Sequence, residues 1–175
     1  MVRISSGDGK RTSGRALVPV LFAASCLWIT FNTGRWKQRD ILWYDSDGYY
    51  LYLPAALIHH DLTDLAFLDS VPANERLNYR FGMGSFTVPE TGHRCDRYTM
   101  GVALNELPFF LIAHAWMLVA DPAHADGYAP VYHLAIACSS ICWAACGLML
   151  LLGFVRRYTN VLNAIDLAGF SVRAR

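Results

Sequence analysis

Two carboxylates, Asp45 and Asp47, stand beside Tyr49, Tyr50 and Tyr52 in the stretch "DSDGYYLYLP" at 45–54. Acids at this spacing can cap the exposed amides of a helix that starts there, hold a hard divalent cation such as Mg²⁺ or Mn²⁺, or take a proton from a hydroxyl. Further along, "HRCDRYT" (93–99) supplies His93, Arg94 and Arg97. A guanidinium fork matches phosphate oxygens, which makes Arg97 the leading phosphate ligand, and a long cation near a bilayer can equally snorkel to headgroups. Glu106 lies two residues before Pro108 in an apolar run. Proline leaves a carbonyl one turn earlier without its helical partner, and an acid beside it indicates a wet, inward face. "HHD" (59–61) is a poor zinc site, because adjacent histidines on a helix point about 100° apart.

The elements that must position these groups follow from how the apolar residues are distributed. The chain has 175 residues, 54% of them apolar, with a formal net charge of +1, which fits neither a nucleic-acid binder nor a disordered acidic tail. Apolar runs at 16–31, 99–120 and 131–154 flank a polar insert. A bilayer core of about 30 Å needs roughly 20 apolar helical residues, since no water is there to satisfy the backbone. Residues 131–154 meet that length without a formal charge. The run at 16–31 is shorter, but Arg3, Lys10, Arg11 and Arg15 ahead of it suit a first span with a cytoplasmic N-terminus. No small-x-small cleavage site follows it, so a removed signal peptide fits poorly.

The expected fold is an all-α integral membrane protein with two or three membrane helices and a large outer, periplasmic loop containing juxtamembrane helices. Its parts are a basic leader (1–15), a span (16–32), the outer loop (33–98), a juxtamembrane or transmembrane helix (99–120), a loop (121–130), a span (131–155) and a basic tail (156–175). The middle run stays open between the two roles. Three crossings would put Arg156–Arg157 outside, against the usual charge bias, whereas a helix dipping into the outer leaflet would keep them inside.

Within the insert, helical spacing of Tyr49, Tyr52, Leu53 and Ala56 predicts an amphipathic helix over about 47–60, lying beneath the headgroups. "SFTVPETGHRCDRYT" predicts two short extended pieces around a Thr91–Gly92 turn. Asp126–Gly127 predicts a turn, Pro130 the start of the last helix, and Tyr128 and Tyr132 an interface belt. Of the five cysteines, Cys138, Cys142 and Cys146 recur every four residues as a small-residue packing stripe, and only Cys95 lies in the insert.

Three ordered blocks, "DSDGYYLYLPAALIHHDL", "RYTMGVALNELPFFLIAHAW" and "DGYAPVYHLA", resemble the N-terminal part of bacterial membrane proteins of the GT-C glycosyltransferase superfamily, with members similar to protein mannosyltransferases and aminoarabinose transferases. The resemblance implies a polytopic enzyme that takes a sugar from a polyprenyl-phosphate carrier and binds membrane lipid. It also implies an essential acid in the first outer loop: Asp45 when matched on the paired tyrosines, Asp47 when matched on an acid–x–aromatic–aromatic pattern. Asp45 would act as general base on an acceptor hydroxyl, with Arg97, Tyr49, Tyr50, Glu106 and Arg94 binding the donor. Some relatives use a divalent metal, for which Asp45 and Asp47 are the available acids. Such enzymes have more spans than this chain holds, so the chain is expected to be an N-terminal part. Nothing resembles the Rossmann-like domain of soluble nucleotide-sugar transferases. The rival readings are a non-enzymatic membrane subunit or lipid carrier, and an inactive fragment.

Overall fold

In the computed structural model of the chain, the described residues are 9–42, 45–70 and 85–173, with side chains described over 17–42, 45–70 and 85–159. The opening of the basic leader, the middle of the insert and the side chains of the basic tail beyond Thr159 fall outside them. The chain is mostly helical: α1 (Gly9–Thr33), α2 (Asp45–Leu57), a short 3-10 turn (Ala66–Asp69), β1 (Ser85–Thr87), β2 (Arg94–Asp96), α3 (Gly101–Ala120), a second 3-10 turn (Pro122–His124) and α4 (Pro130–Arg173). It divides into two compact units, one comprising 28–140 and the other the two ends, 1–27 with 141–175.

Among the described residues, two helices are long and apolar enough to cross a membrane, Gly101–Ala120 and the Pro130–Thr159 part of α4; the apolar part of α1, Leu17–Thr33, is shorter. At 1.5 Å per residue α3 is about 30 Å long, the thickness of a bilayer core. Its surface is apolar on both sides. Ala103, Glu106, Phe110, Ala113 and Met117 form a buried stripe at alternating spacings of three and four, while Leu104, Leu111, Ile112, Trp116, Leu118 and Val119 are exposed. A helix whose exposed surface is mostly apolar, with only a narrow packed seam, is one whose outer face is meant for lipid or another apolar surface. The unit of chain ends has the same character, with Leu17, Val20, Leu21, Leu150, Leu151 and Phe154 all exposed.

The core of the 28–140 unit is aromatic and lies where α2 packs on α3. Tyr50 meets Phe110 at 5.9 Å and Tyr128 at 6.4 Å between ring centroids, and Phe110 meets Tyr132 at 5.4 Å. Polar tips in this cluster are paired within it: the Tyr50 hydroxyl donates to the Gly127 carbonyl, and His114 Nδ1 pairs with the Tyr132 hydroxyl at 2.8 Å. Tyr128 and Tyr132 are therefore core residues instead of an interface belt, 2% and 0% exposed. The turn that delivers them is the expected Asp126–Gly127: the Tyr128 amide donates to Asp126 Oδ1 at 2.8 Å, and Gly127 takes φ +90°. A side chain at Gly127 would be doubly unwelcome, since its Cβ would lie 2.8 Å from Pro54 Cβ.

The insert contributes the hairpin. β1 and β2 pair antiparallel with Ser85 opposite Asp96, Phe86 opposite Cys95 and Thr87 opposite Arg94. The Val88 amide donates to the His93 carbonyl at 2.8 Å, the Gly92 amide to the Val88 carbonyl at 2.8 Å, and Gly92 takes φ +72°. The extended pieces thus form around Thr91–Gly92, where a residue free of Cβ strain was expected.

Candidate functional site

The site is built where the exit of the hairpin lies against the first turns of α2. Helix α2 opens with Asp45 and Asp47 in its first turn, where unbonded amides favour negative charge. Residues two apart on a helix diverge by about 200°. Asp45 is accordingly exposed, whereas Asp47 is 4% exposed. The two acids do not share a face, so they do not converge on one cation.

Segment 96–98, which follows β2, is fastened to α2 by several contacts. The Tyr98 hydroxyl donates to Asp45 Oδ1. The Tyr52 hydroxyl donates to the Tyr98 carbonyl at 2.6 Å, and the Tyr98 amide donates to Asp96 Oδ1 at 2.9 Å. The Tyr49 and Tyr98 rings lie 4.7 Å apart. Gly48 makes room for this arrangement: a Cβ there would fall 2.1 Å from Cδ2 of the Tyr98 ring. The Tyr98 phenol is pushed above its ordinary range, first by its hydrogen bond to Asp45, with burial and the Asp45 charge adding to it.

Burial sets the behaviour of the other acids. Asp47 is pushed up to about 7 by burial and, secondarily, by the charge of Asp96; among the described residues it has no hydrogen-bond donor. Asp96 is pushed up to about 6 by burial, against the amides of Tyr98 and Arg97 and the Arg97 charge, all of which pull it down. Its Oδ2 is buried and unbonded among the described residues. The acids brought together are thus Asp47 and Asp96, a pair that favours holding a proton between pH 4 and 7.

The expected donor-binding residues fall into two groups. Arg97 is exposed, lies 6.0 Å from the centre of the Phe86 ring, and enters no ion pair among the described residues. Tyr49 is half-buried at the same edge. Arg94 instead braces the hairpin, donating to the Leu65 carbonyl and to Asp69 Oδ1, both at 3.2 Å. Tyr50 is fully buried with its hydroxyl used on Gly127, so it supports α2 from behind and is not open to a ligand. Glu106 is in the buried stripe of α3, with Oε2 unbonded among the described residues. Its location is inward, as its neighbour Pro108 suggested, and close enough to Tyr50 for its charge to act on that phenol.

No group of three or more His, Cys, Asp or Glu side chains that could hold a metal ion occurs among the described residues. A hard divalent cation takes about six oxygens. Asp45 alone at the surface, and Asp47 with Asp96 behind it, do not make such a set. The "HHD" histidines are also engaged separately: His59 stacks on Phe67 at 4.2 Å, and His60 contacts the Ala56 carbonyl at 3.0 Å.

Sequence reasoning passed over Asp96 and Tyr98. Both adjoin Arg97, the residue it singled out, and Tyr98 follows Arg97 as the second residue of the second resembling block. The available signal was the lone glycine inside an otherwise bulky helix start, because Gly48 marks a close approach by something. No protein-family model, no characterised protein and no solved structure matches the chain.

Proposed function

We propose that the chain contributes the outer-loop site of a membrane glycosyltransferase that transfers a sugar from a polyprenyl-phosphate carrier to a hydroxyl acceptor outside the bacterial inner membrane. The observation that carries the reading is an exposed carboxylate, Asp45, at a helix start, oriented by Tyr98, with the exposed guanidinium of Arg97 one residue from that tyrosine. Asp45 takes the proton of the acceptor hydroxyl as its oxygen attacks the anomeric carbon. The bond from that carbon to the phosphate oxygen breaks, and polyprenyl phosphate leaves with its charge met by Arg97. An apolar groove of about 440 Å³ between α3 and the start of α4, lined by residues such as Phe109, Trp116, Val131 and Leu134, supports a donor with a long lipid tail.

The test is release of polyprenyl phosphate from a polyprenyl-phosphate hexose by the purified chain in proteoliposomes, with and without a hydroxyl acceptor. Acceptor-dependent release is expected, and donor binding without release favours a carrier instead. The location of residues 33–98 is checked on intact spheroplasts. Cys95 is part-exposed in β2, whereas the other described cysteines lie in α1 and α4. A membrane-impermeant maleimide should modify Cys95 before permeabilisation. Modification only after permeabilisation puts the hairpin in the cytoplasm and sinks the outer-face assignment.

A further inference from the structure

We propose that Tyr98 is the positioning residue of Asp45: its hydroxyl takes Oδ1 of the carboxylate and leaves Oδ2 to receive the acceptor's proton. The inference rests on the reading of Asp45 as general base and adds the group that orients it. An exposed aspartate at a helix start has a freely turning carboxylate, and a base that turns freely spends little time at hydrogen-bond geometry with a bound hydroxyl. Here one oxygen is held by a phenol, and the phenol is itself held by its ring and by its backbone. Its ring rests on the bare Cα of Gly48, where a Cβ would lie 2.1 Å from the ring. Its outer face meets Tyr49 at 4.7 Å between centroids. Its backbone is fixed at both ends, the amide to Asp96 Oδ1 at 2.9 Å and the carbonyl by the Tyr52 hydroxyl at 2.6 Å. A tyrosine needed only for packing would not require its hydroxyl to end on a surface carboxylate. The arrangement transmits the position of the hairpin exit directly to one oxygen of the base.

The experiment has a spectroscopic part that needs no turnover and a kinetic part that does. With ¹³C-labelled tyrosine in detergent-solubilised full chain, Tyr98→Phe identifies the Tyr98 resonance by its loss. The phenol should then titrate at lower pH in Asp45→Asn than in wild type, because the neutral amide no longer favours the protonated phenol. In proteoliposomes, Tyr98→Phe should lower kcat about tenfold with KM for the donor unchanged, since the ring and Gly48 seat persist and only orientation is lost. Gly48→Ala, which drives a methyl into the ring, should lower kcat at least as far while the Tyr49 and Tyr98 resonances shift. An unchanged Tyr98 titration in Asp45→Asn overturns the inference outright. A shifted titration with wild-type kcat in Tyr98→Phe overturns the positioning role while leaving the contact. Absence of transfer by the wild-type chain, with the titration shifted, overturns the reading of Asp45 as general base and leaves only the contact, whereas an unchanged titration beside intact wild-type transfer overturns the role of Tyr98 alone.

Discussion

Asp45→Asn is expected to lower sugar transfer by about 10²- to 10⁴-fold, the range for loss of a general base, with expression and folding unchanged. The fold should tolerate the change because Asp45 is exposed and an asparagine carbonyl can still accept the Tyr98 hydroxyl. Measuring acceptor-dependent release beside Asp47→Asn decides between the two acids. The case for Asp47 is its value of about 7, which suits a base working near neutrality. The case against it is access: a base must come within about 3 Å of the hydroxyl proton it removes, and Asp47 is 4% exposed. Reach decides before basicity does. A loss confined to Asp47→Asn would reassign the base and require the first turn of α2 to open during the reaction.

The features legible in the sequence were those governed by short-range chemistry. Gly92 and Gly127 adopt positive φ at the two expected turns, and Pro130 starts α4. What could not be read was which face of α2 would be covered. Tyr49, Tyr52, Leu53 and Ala56 share a helical face and suggest an interfacial stripe. The covered set is Asp47, Gly48, Tyr50, Leu51, Leu53, Pro54 and Ala55, more than half the circumference. Packing on α3 on one side and the seat of Tyr98 on Gly48 on another override the pattern of a helix lying alone in a membrane surface.

The same limit explains Arg94 and Tyr50. Their side-chain types suit phosphate binding and sugar stacking, but partners remote in sequence, Leu65 and Asp69 for one and Gly127 for the other, use them structurally. Asp96 was hidden for the complementary reason. Nothing local distinguishes it from any acid beside an arginine, and only the hairpin register carries it to α2. Acid placement in this chain is a tertiary property, and it divides the three carboxylates into the exposed Asp45 and a pair made of the buried Asp47 and the half-buried Asp96.

That pair makes stability depend on pH in a direction opposite to that of ordinary acid denaturation. Asp47 stands at about 7 in the folded chain against 3.8 for a free side chain, raised first by burial and then by Asp96. Between those values the folded form keeps the proton and the unfolded form has lost it, so unfolding releases a proton. The stabilisation is complete below pH 4, declines as pH rises, and is gone above 7. Asparagine has nearly the same shape and cannot ionise, so its contribution is flat across that window. Asp47→Asn should match wild type near pH 4 and exceed it at pH 8 by about 4 kcal/mol, the cost of ionising in the folded chain a group that stands at about 7 instead of 3.8. Part of the gain comes through Asp96, which titrates about 6 in the same window. Hydrogen exchange of the α2 amides, compared between the two proteins at each pH, gives the measurement: slower exchange in the variant at pH 8, with the difference narrowing as pH falls and closing near pH 4. Parallel curves across the range would mean that Asp47 is ionised in the folded chain and paired with a cation, and the description of a proton-holding pair would fall.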